Sequence, residues 1–395
     1  MRYGWLFVLT FVTFLSACSD TAPPAPTASA PAVPLAGQPI PGQYIVVLAT
    51  PELSEQSSQD FELSVSRVAT DLGVQATTPL RVINGFLAEN VSGAALRQLQ
   101  NDTRVAYVEQ DQIMTANATQ YNPTWGLDRI DERSLPLDGV YRYNTTAPSV
   151  TAYIIDTGIR SSHDEFGERV VGGVTAIEDG RGSSDCNGHG THVAGTVGGS
   201  TYGVAKGVKL FAIRVLDCAG SGSNSGVIAG VDYVTYYHKK PAVANMSLGG
   251  GASRALDEAV GKSIRAGVTY AVAAGNENQN ACSTSPARVG SALTVGATTK
   301  SDSRASFSNY GSCVDLFAPG ASITSAWFTT DSSTNTISGT SMAAPHVAGA
   351  AALYLQRYPG AIPSTVAYRI KRNATGGALS DTKGSPNRLL FKGRW

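Results

Sequence analysis

Charge is scarce in this chain and has no net sign. Only 15% of the 395 residues are Asp, Glu, Lys or Arg, and 30 basic side chains cancel 30 acidic ones. A nucleic-acid partner asks for a basic surplus, so composition gives no reason to expect one. No Cys-x-x-Cys pair occurs among the five cysteines, which removes the usual signature of a structural zinc site. The apolar stretch Gly4–Leu15 is too short to span a bilayer comfortably. No internal repeat is present, and low complexity is confined to one tract near the N-terminus. What remains is an apolar fraction of 42%, enough for a large core, and 42 glycines, which mark tight turns and close backbone approaches.

Met1-Arg2 followed by Gly4–Leu15 has the layout of a secretory signal peptide, residues 1–17. It ends in Leu15-Ser16-Ala17-Cys18, which resembles the lipobox of bacterial lipoproteins, where the cysteine is lipidated and becomes the new N-terminus. The rival reading is a conventional cleavage site beside a chance cysteine. The Ala/Pro/Ser/Thr tract Thr21–Pro41 cannot form a core and reads as a tether, giving a segment 18–42. With Cys18 set apart, Cys186, Cys218, Cys282 and Cys313 remain for two disulfides in an oxidising compartment, and three pairings are open.

Residues 43–117 predict a small α+β unit: a strand at 44–48, a helix over 53–72, strands at 80–83 and 85–88, a helix capped by Ser92, and a strand at 105–108. That order, βαββαβ, is ferredoxin-like. From residue 118 to 395 the texture changes. Near-continuous apolar runs at 150–155, 210–215, 242–246, 268–272 and 292–295 alternate with helical stretches at 192–198, 225–239 and 253–265. This predicts an α/β domain with a mostly parallel sheet covered on both faces, and a site at the carboxyl ends of its strands.

Asp156 closes one such run in IIDTGI, His189 stands between glycines in NGHGTHVAG, and Ser341 opens a small-residue helix in GTSMAAPHVAG. Asp156 and Ser341 have plain structural alternatives, a turn former and an N-cap followed by a Pro345 that the first helical turn tolerates, while the glycines beside His189 let another chain approach its ring. Together the three follow one of the chain orders in which an Asp-His-Ser triad occurs. An alcohol is a weak nucleophile at neutral pH. Ser341 therefore needs a base, His189 titrates near neutrality, and Asp156 would fix the ring's tautomer.

The blocks DTGI, NGHGTHVAG, AAGNEN and GTSMAAPHVAG resemble the signatures of the subtilisin-like serine proteases. WGLDRID, VANMSLGGG and ASFSNYGSCVDLFAPGASI are similar to the proteinase K branch and its aqualysin group. The match begins near Ala118, and residues 43–114 resemble the inhibitory propeptide of the same family.

The resemblance implies a three-layer subtilisin-like domain and a secreted serine endopeptidase, self-processed near Asn117/Ala118 and acting on polypeptides. It implies an oxyanion hole from the Asn276 amide and the Ser341 N–H. It assigns Ser221, Gly222, Ser247, Leu248 and Gly249 to two edges that pair with an extended peptide, and Ala273, Ala274 and Gly275 to a roomy P1 wall that takes apolar or aromatic residues. It selects the pairings Cys186–Cys218 and Cys282–Cys313 from the three left open. Structural Ca2+ is implied at Asp128, Asp131, Glu132 and Asp138, where a plain acidic loop is the alternative, and at Asp315 with the carbonyls of Gly290 and Ala292. Asp179 and Asp185 are a third candidate pair. The expected partners are polypeptide substrates and the chain's own propeptide, with a membrane reached only through a lipid on the precursor, and a monomeric enzyme. His163, His192 and His346 read as satisfied structural histidines. The chain departs from the family at Ala344, where a threonine is usual.

Overall fold

A strand buried on both faces has little room for polar residues, so its sequence is a near-continuous apolar run. The computed structural model describes residues 39–49, 58–112, 118–393 and 395, and the five predicted runs lie at the middle of one sheet. The signal peptide, Cys18, most of the tether and the junction before Ala118 lie outside the described residues.

The first unit contains β1 (Pro39–Leu48), α1 (Ser58–Asp71), β2 (Gln75–Leu80), β3 (Gly85–Glu89), α2 (Gly93–Asn101) and β4 (Val105–Gln112). It has the expected βαββαβ order, in an antiparallel sheet ordered β2-β3-β1-β4. Phe61, Val65, Ala69 and Leu72 form one helical stripe that packs on Val46, Phe86 and Ala88. Ser92 caps α2 through the Ala95 N–H at 3.2 Å. The strand predicted at 80–83 lies earlier in the chain. β2 ends at Leu80, and Arg81–Ile83 form a 3-10 turn closed by Asn84 at φ 54°, whose amide reaches the Leu48 carbonyl at 3.1 Å.

The second part runs β5 (Ala118–Tyr121), α3 (Trp125–Asp131), β6 (Val140–Tyr143), β7 (Thr151–Asp156), β8 (Val170–Thr175), α4 (His189–Gly198), β9 (Lys209–Arg214), α5 (Asn224–Tyr237), β10 (Ala242–Met246), β11 (Gly250–Gly251), α6 (Arg254–Ala266), β12 (Thr269–Ala273), β13 (Thr284–Ser285), β14 (Leu293–Thr298), β15 (Leu316–Pro319), β16 (Ile323–Ala326), β17 (Thr334–Ile337), α7 (Thr340–Arg357), α8 (Pro363–Asn373), β18 (Thr375–Gly376) and β19 (Arg388–Leu389). The main sheet is ordered β18-β19-β15-β14-β12-β10-β7-β9-β8, parallel throughout except for the β18/β19 pair.

Side chains alternate across a strand, and β7 uses that alternation to serve two cores. Ala152 and Ile154 join the α4 and α7 side with Val193, Val197 and Val347. Tyr153 and Ile155 join the α5 and α6 side with Val231, Leu256 and Val260. The result is a three-layer α/β domain whose parallel strands bring Asp156, Met246 and Ala273 to the same edge. Among the described residues no helix is long and apolar enough to cross a membrane.

Candidate active site

Asp156 ends β7 with no exposed surface. Its Oδ1 accepts the Thr157 N–H at 2.8 Å and lies 2.7 Å from His189 Nδ1. His189 opens α4 because Gly188 before it turns the chain at φ 106°, where a Cβ would lie 2.5 Å from the Trp327 ring. The loop leading in is held by the Asp185 carboxylate, which accepts the N–H groups of Asn187, Gly188 and Thr191, each at 2.9 Å. The Cys186–Cys218 disulfide pins the same loop to the segment before Ser221, and Cys282–Cys313 is the second bridge, so both implied pairings are present.

Burial disfavours a charged His189, but the Asp156 charge and hydrogen bond, with the Asp185 charge behind them, outweigh it and hold the imidazole above its ordinary value. His192 and His346 are different. Burial pushes both down to about 4, and each bonds a backbone carbonyl, of Ile323 and Met342 respectively. His163 bonds the Ser333 carbonyl at 2.8 Å and accepts the Glu165 N–H.

Ser341 is not the N-cap of its helix. Gly339 holds that place, and Ser341 is the second residue of α7. Pro345 is therefore deeper than the sequence suggested and leaves the Ser341 carbonyl, four residues back, without its helical donor. The Ser247 hydroxyl supplies it at 2.7 Å, while the Ser341 hydroxyl donates to the Ser247 carbonyl at 3.1 Å. The Asn245 amide donates to Ser247 Oγ at 2.8 Å, so a buried polar chain runs from the end of β10 to the first turn of α7.

A second network fixes Asn276. Its Oδ1 accepts both the N–H and the hydroxyl of Thr340, at 2.8 and 2.9 Å, and the Thr340 hydroxyl accepts the Gly275 N–H at 3.1 Å. Two donors at one end of the amide leave its NH2 as the end free to face the cleft. Thr340, Asn245 and the Ser247 side chain hold Asn276 and the first turn of α7 through these bonds, and sequence reasoning missed them. Their only local signal is a hydroxyl or amide at the buried end of a strand or helix.

Two adjoining cavities flank these residues. One, of about 570 Å³, is lined by His189, Ser221, Gly222, Ser247, Leu248 and Gly249. The other, of about 430 Å³, shares Leu248 and Gly249 and adds Ala273, Gly275, Asn276 and Ser341. Ala274 is not part of the wall. It is fully buried in a separate apolar cluster, because alternation at the end of β12 turns it away from the side that Ala273 and Gly275 face.

The implied calcium positions divide. Asp128, Glu132 and Asp138 offer carboxylate oxygens within 4.8 Å of one another. Asp128 is 6% exposed, its Oδ1 has no hydrogen-bond partner among the described residues, and burial holds its carboxyl above the ordinary value. Three hard oxygens, one of them orphaned, fit a calcium ion. Asp131 does not belong to this group: its oxygens go to the buried Lys392 ammonium at 2.8 Å and the Arg142 N–H at 2.8 Å, since a buried ammonium requires a counter-charge. At the second position Asp315 meets Lys371 at 2.9 Å and the Thr294 N–H at 3.0 Å, while Gly290 is exposed and Ala292 buried; a cation does not fit beside that ammonium. Asp179 is spent on Arg214, at 2.7 and 2.6 Å, and Asp185 on the loop it organises.

Comparison with known proteins matches residues 148–392 to the Subtilase family. An extracellular serine proteinase of Thermus sp. (strain Rt41A) is 54% identical over 412 residues, covering 99% of each chain. The alkaline serine exoprotease A of Vibrio alginolyticus is 52% identical over 88% of this chain and 67% of its own. The crystal structure of a cold adapted subtilisin-like serine proteinase superposes with a TM-score of 0.67 at 58% identity, covering 69% of this chain and 98% of that one.

Proposed function

This chain belongs to the subtilase family of serine endopeptidases, and from that premise we propose that Asp156, His189 and Ser341 are its catalytic triad. The observation that carries the reading is the 2.7 Å bond between a fully buried Asp156 and His189 Nδ1, beside the cleft that Ser341 lines. That bond leaves Nε2 as the basic nitrogen.

At rest the Ser341 hydroxyl is parked on the Ser247 carbonyl. An extended peptide laid along Ser247–Gly249 brings a backbone N–H that competes for that carbonyl, and the hydroxyl then turns to His189. His189 takes the proton as Oγ bonds the scissile carbon. The Asn276 NH2 and the Ser341 N–H, at the positive end of α7, hold the oxyanion. His189 returns the proton to the leaving amine, and water attacks the acyl ester with His189 again as base. Ala273 and Gly275 leave room for apolar or aromatic P1 side chains in the 430 Å³ cavity.

Asp128, Glu132 and Asp138 would hold a calcium ion, which supplies positive charge that lets three carboxylates share one corner of α3 and the turn before β6. Residues 43–117 would act as propeptide, with cleavage before Ala118. Cys18 would carry the lipid of an exported precursor, so that the same cut releases the enzyme.

Stoichiometric labelling by a phosphonofluoridate tests the nucleophile: wild type takes one equivalent and Ser341→Ala none. An unlabelled wild type refutes the triad. Intact mass with N-terminal sequencing reads the boundary, which Ser341→Ala should leave uncut. A cleaved enzyme that stays with the membrane fraction, free of residues 18–117, would refute the release step.

A further inference from the structure

The Asp315 site is already occupied by a cation that belongs to the chain. Asp315 lies just before β15. Its Oδ2 accepts the Thr294 N–H at 3.0 Å, and its Oδ1 meets Lys371 Nζ at 2.9 Å. Lys371 stands in the last turn of α8, the end of a helix that favours positive charge. The two side chains keep only 31% and 19% of their surface in water, so the pair is shielded from salt better than an open surface pair. A calcium ion takes about six to eight oxygens at roughly 2.3–2.6 Å. It cannot use Asp315 Oδ1 while an ammonium sits 2.9 Å from the same atom.

The contrast with Asp128 is direct. There a buried carboxylate oxygen lacks any partner among the described residues; here both oxygens are engaged. We infer that Lys371 replaces the calcium ion that the family resemblance assigns to Asp315, joining α8 to the β14–β15 edge with a charge that no chelator removes. Calcium dependence in this protein is then confined to the Asp128, Glu132 and Asp138 site. Lys392, which takes Asp131, is the same device on the border of that site.

The test uses the full chain carrying Ser341→Ala, so that no self-digestion intervenes. Bound calcium is counted by atomic emission after equilibrium dialysis against millimolar CaCl2, and thermal unfolding is followed in EDTA and in CaCl2. Lys371→Met should hold one more calcium per chain than its parent and lose it again when Asp315→Asn is added. In EDTA its midpoint should fall several degrees below the parent's, and calcium should restore it. Lys371→Arg, which keeps the charge, should match the parent in both readouts. The inference is overturned if Asp315→Asn alone removes a calcium from the parent, or if Lys371→Met binds no more calcium than the parent.

Discussion

Removing the Ser247 hydroxyl should disturb Ser341 without touching its side chain. In Ser247→Ala the Ser341 carbonyl loses its 2.7 Å donor, and Pro345 has no N–H to replace it. A buried polar group left unpaired costs about 1–3 kcal/mol, and that is the expected loss of stability. Ser247 is 3% exposed, so its side chain offers the substrate almost nothing, and KM should change little. Turnover should fall roughly tenfold to a hundredfold, because a nucleophile displaced by about 1 Å loses that much. Pro345→Ala supplies an N–H four residues after Ser341 and should recover most of both losses in the Ser247→Ala background. The assay is a double-mutant cycle on urea unfolding and on peptide anilide hydrolysis. If the two changes add within about 0.3–0.5 kcal/mol, the two groups do not share the Ser341 carbonyl and the reasoning fails.

The other predictions are separate measurements. Thr340→Val should let the Asn276 amide turn and lower turnover by about one to two orders of magnitude, less than the two to three expected for losing the donor outright; unchanged turnover would sink this role. The acid limb of kcat/KM should have its midpoint above 6.5, since the base must be neutral and His189 is held above that value. Stability moves the opposite way: the contribution of charged His189 is complete below 6.5 and fades as pH rises through the raised folded value. Asp156→Asn removes the raising charge and leaves burial, so the limb should move to lower pH in whatever activity survives; a limb that stays in place would contradict the assignment. Asp302→Ala should leave the unexposed Arg129 guanidinium without its 2.7 Å partner and counter-charge and cost about 3–5 kcal/mol in urea unfolding. A loss below 1 kcal/mol would mean that water reaches Arg129.

Where local chemistry decides, the sequence was readable. Ala242–Met246 is apolar but for Asn245 and reads as a central strand, and Asp156 follows such a run at the sheet edge where sites gather. β8 was hidden because Gly172 and Gly173 interrupt its apolar pattern at the sheet margin. The depth of Pro345 depends on which residue begins α7, and helix ends are the least legible part of any pattern. Partners were the other blind spot. Nothing near Asp315 announces Lys371, and nothing near Asp131 announces Lys392, because ion pairs between distant segments follow from the finished packing. Ala274 was misassigned for a similar reason, since its direction depends on where β12 stops.

The stretch from Arg388 to Lys392 is stitched into the opposite end of the domain. Leu389 pairs with Phe317 of β15, the Lys392 N–H donates to the Ile130 carbonyl, and its ammonium meets Asp131. Every one of these contacts joins segments far apart in the chain, so Asp131 and the margin of the main sheet stay without their partners until the whole domain has assembled, and the fold closes as one long-range unit and not segment by segment.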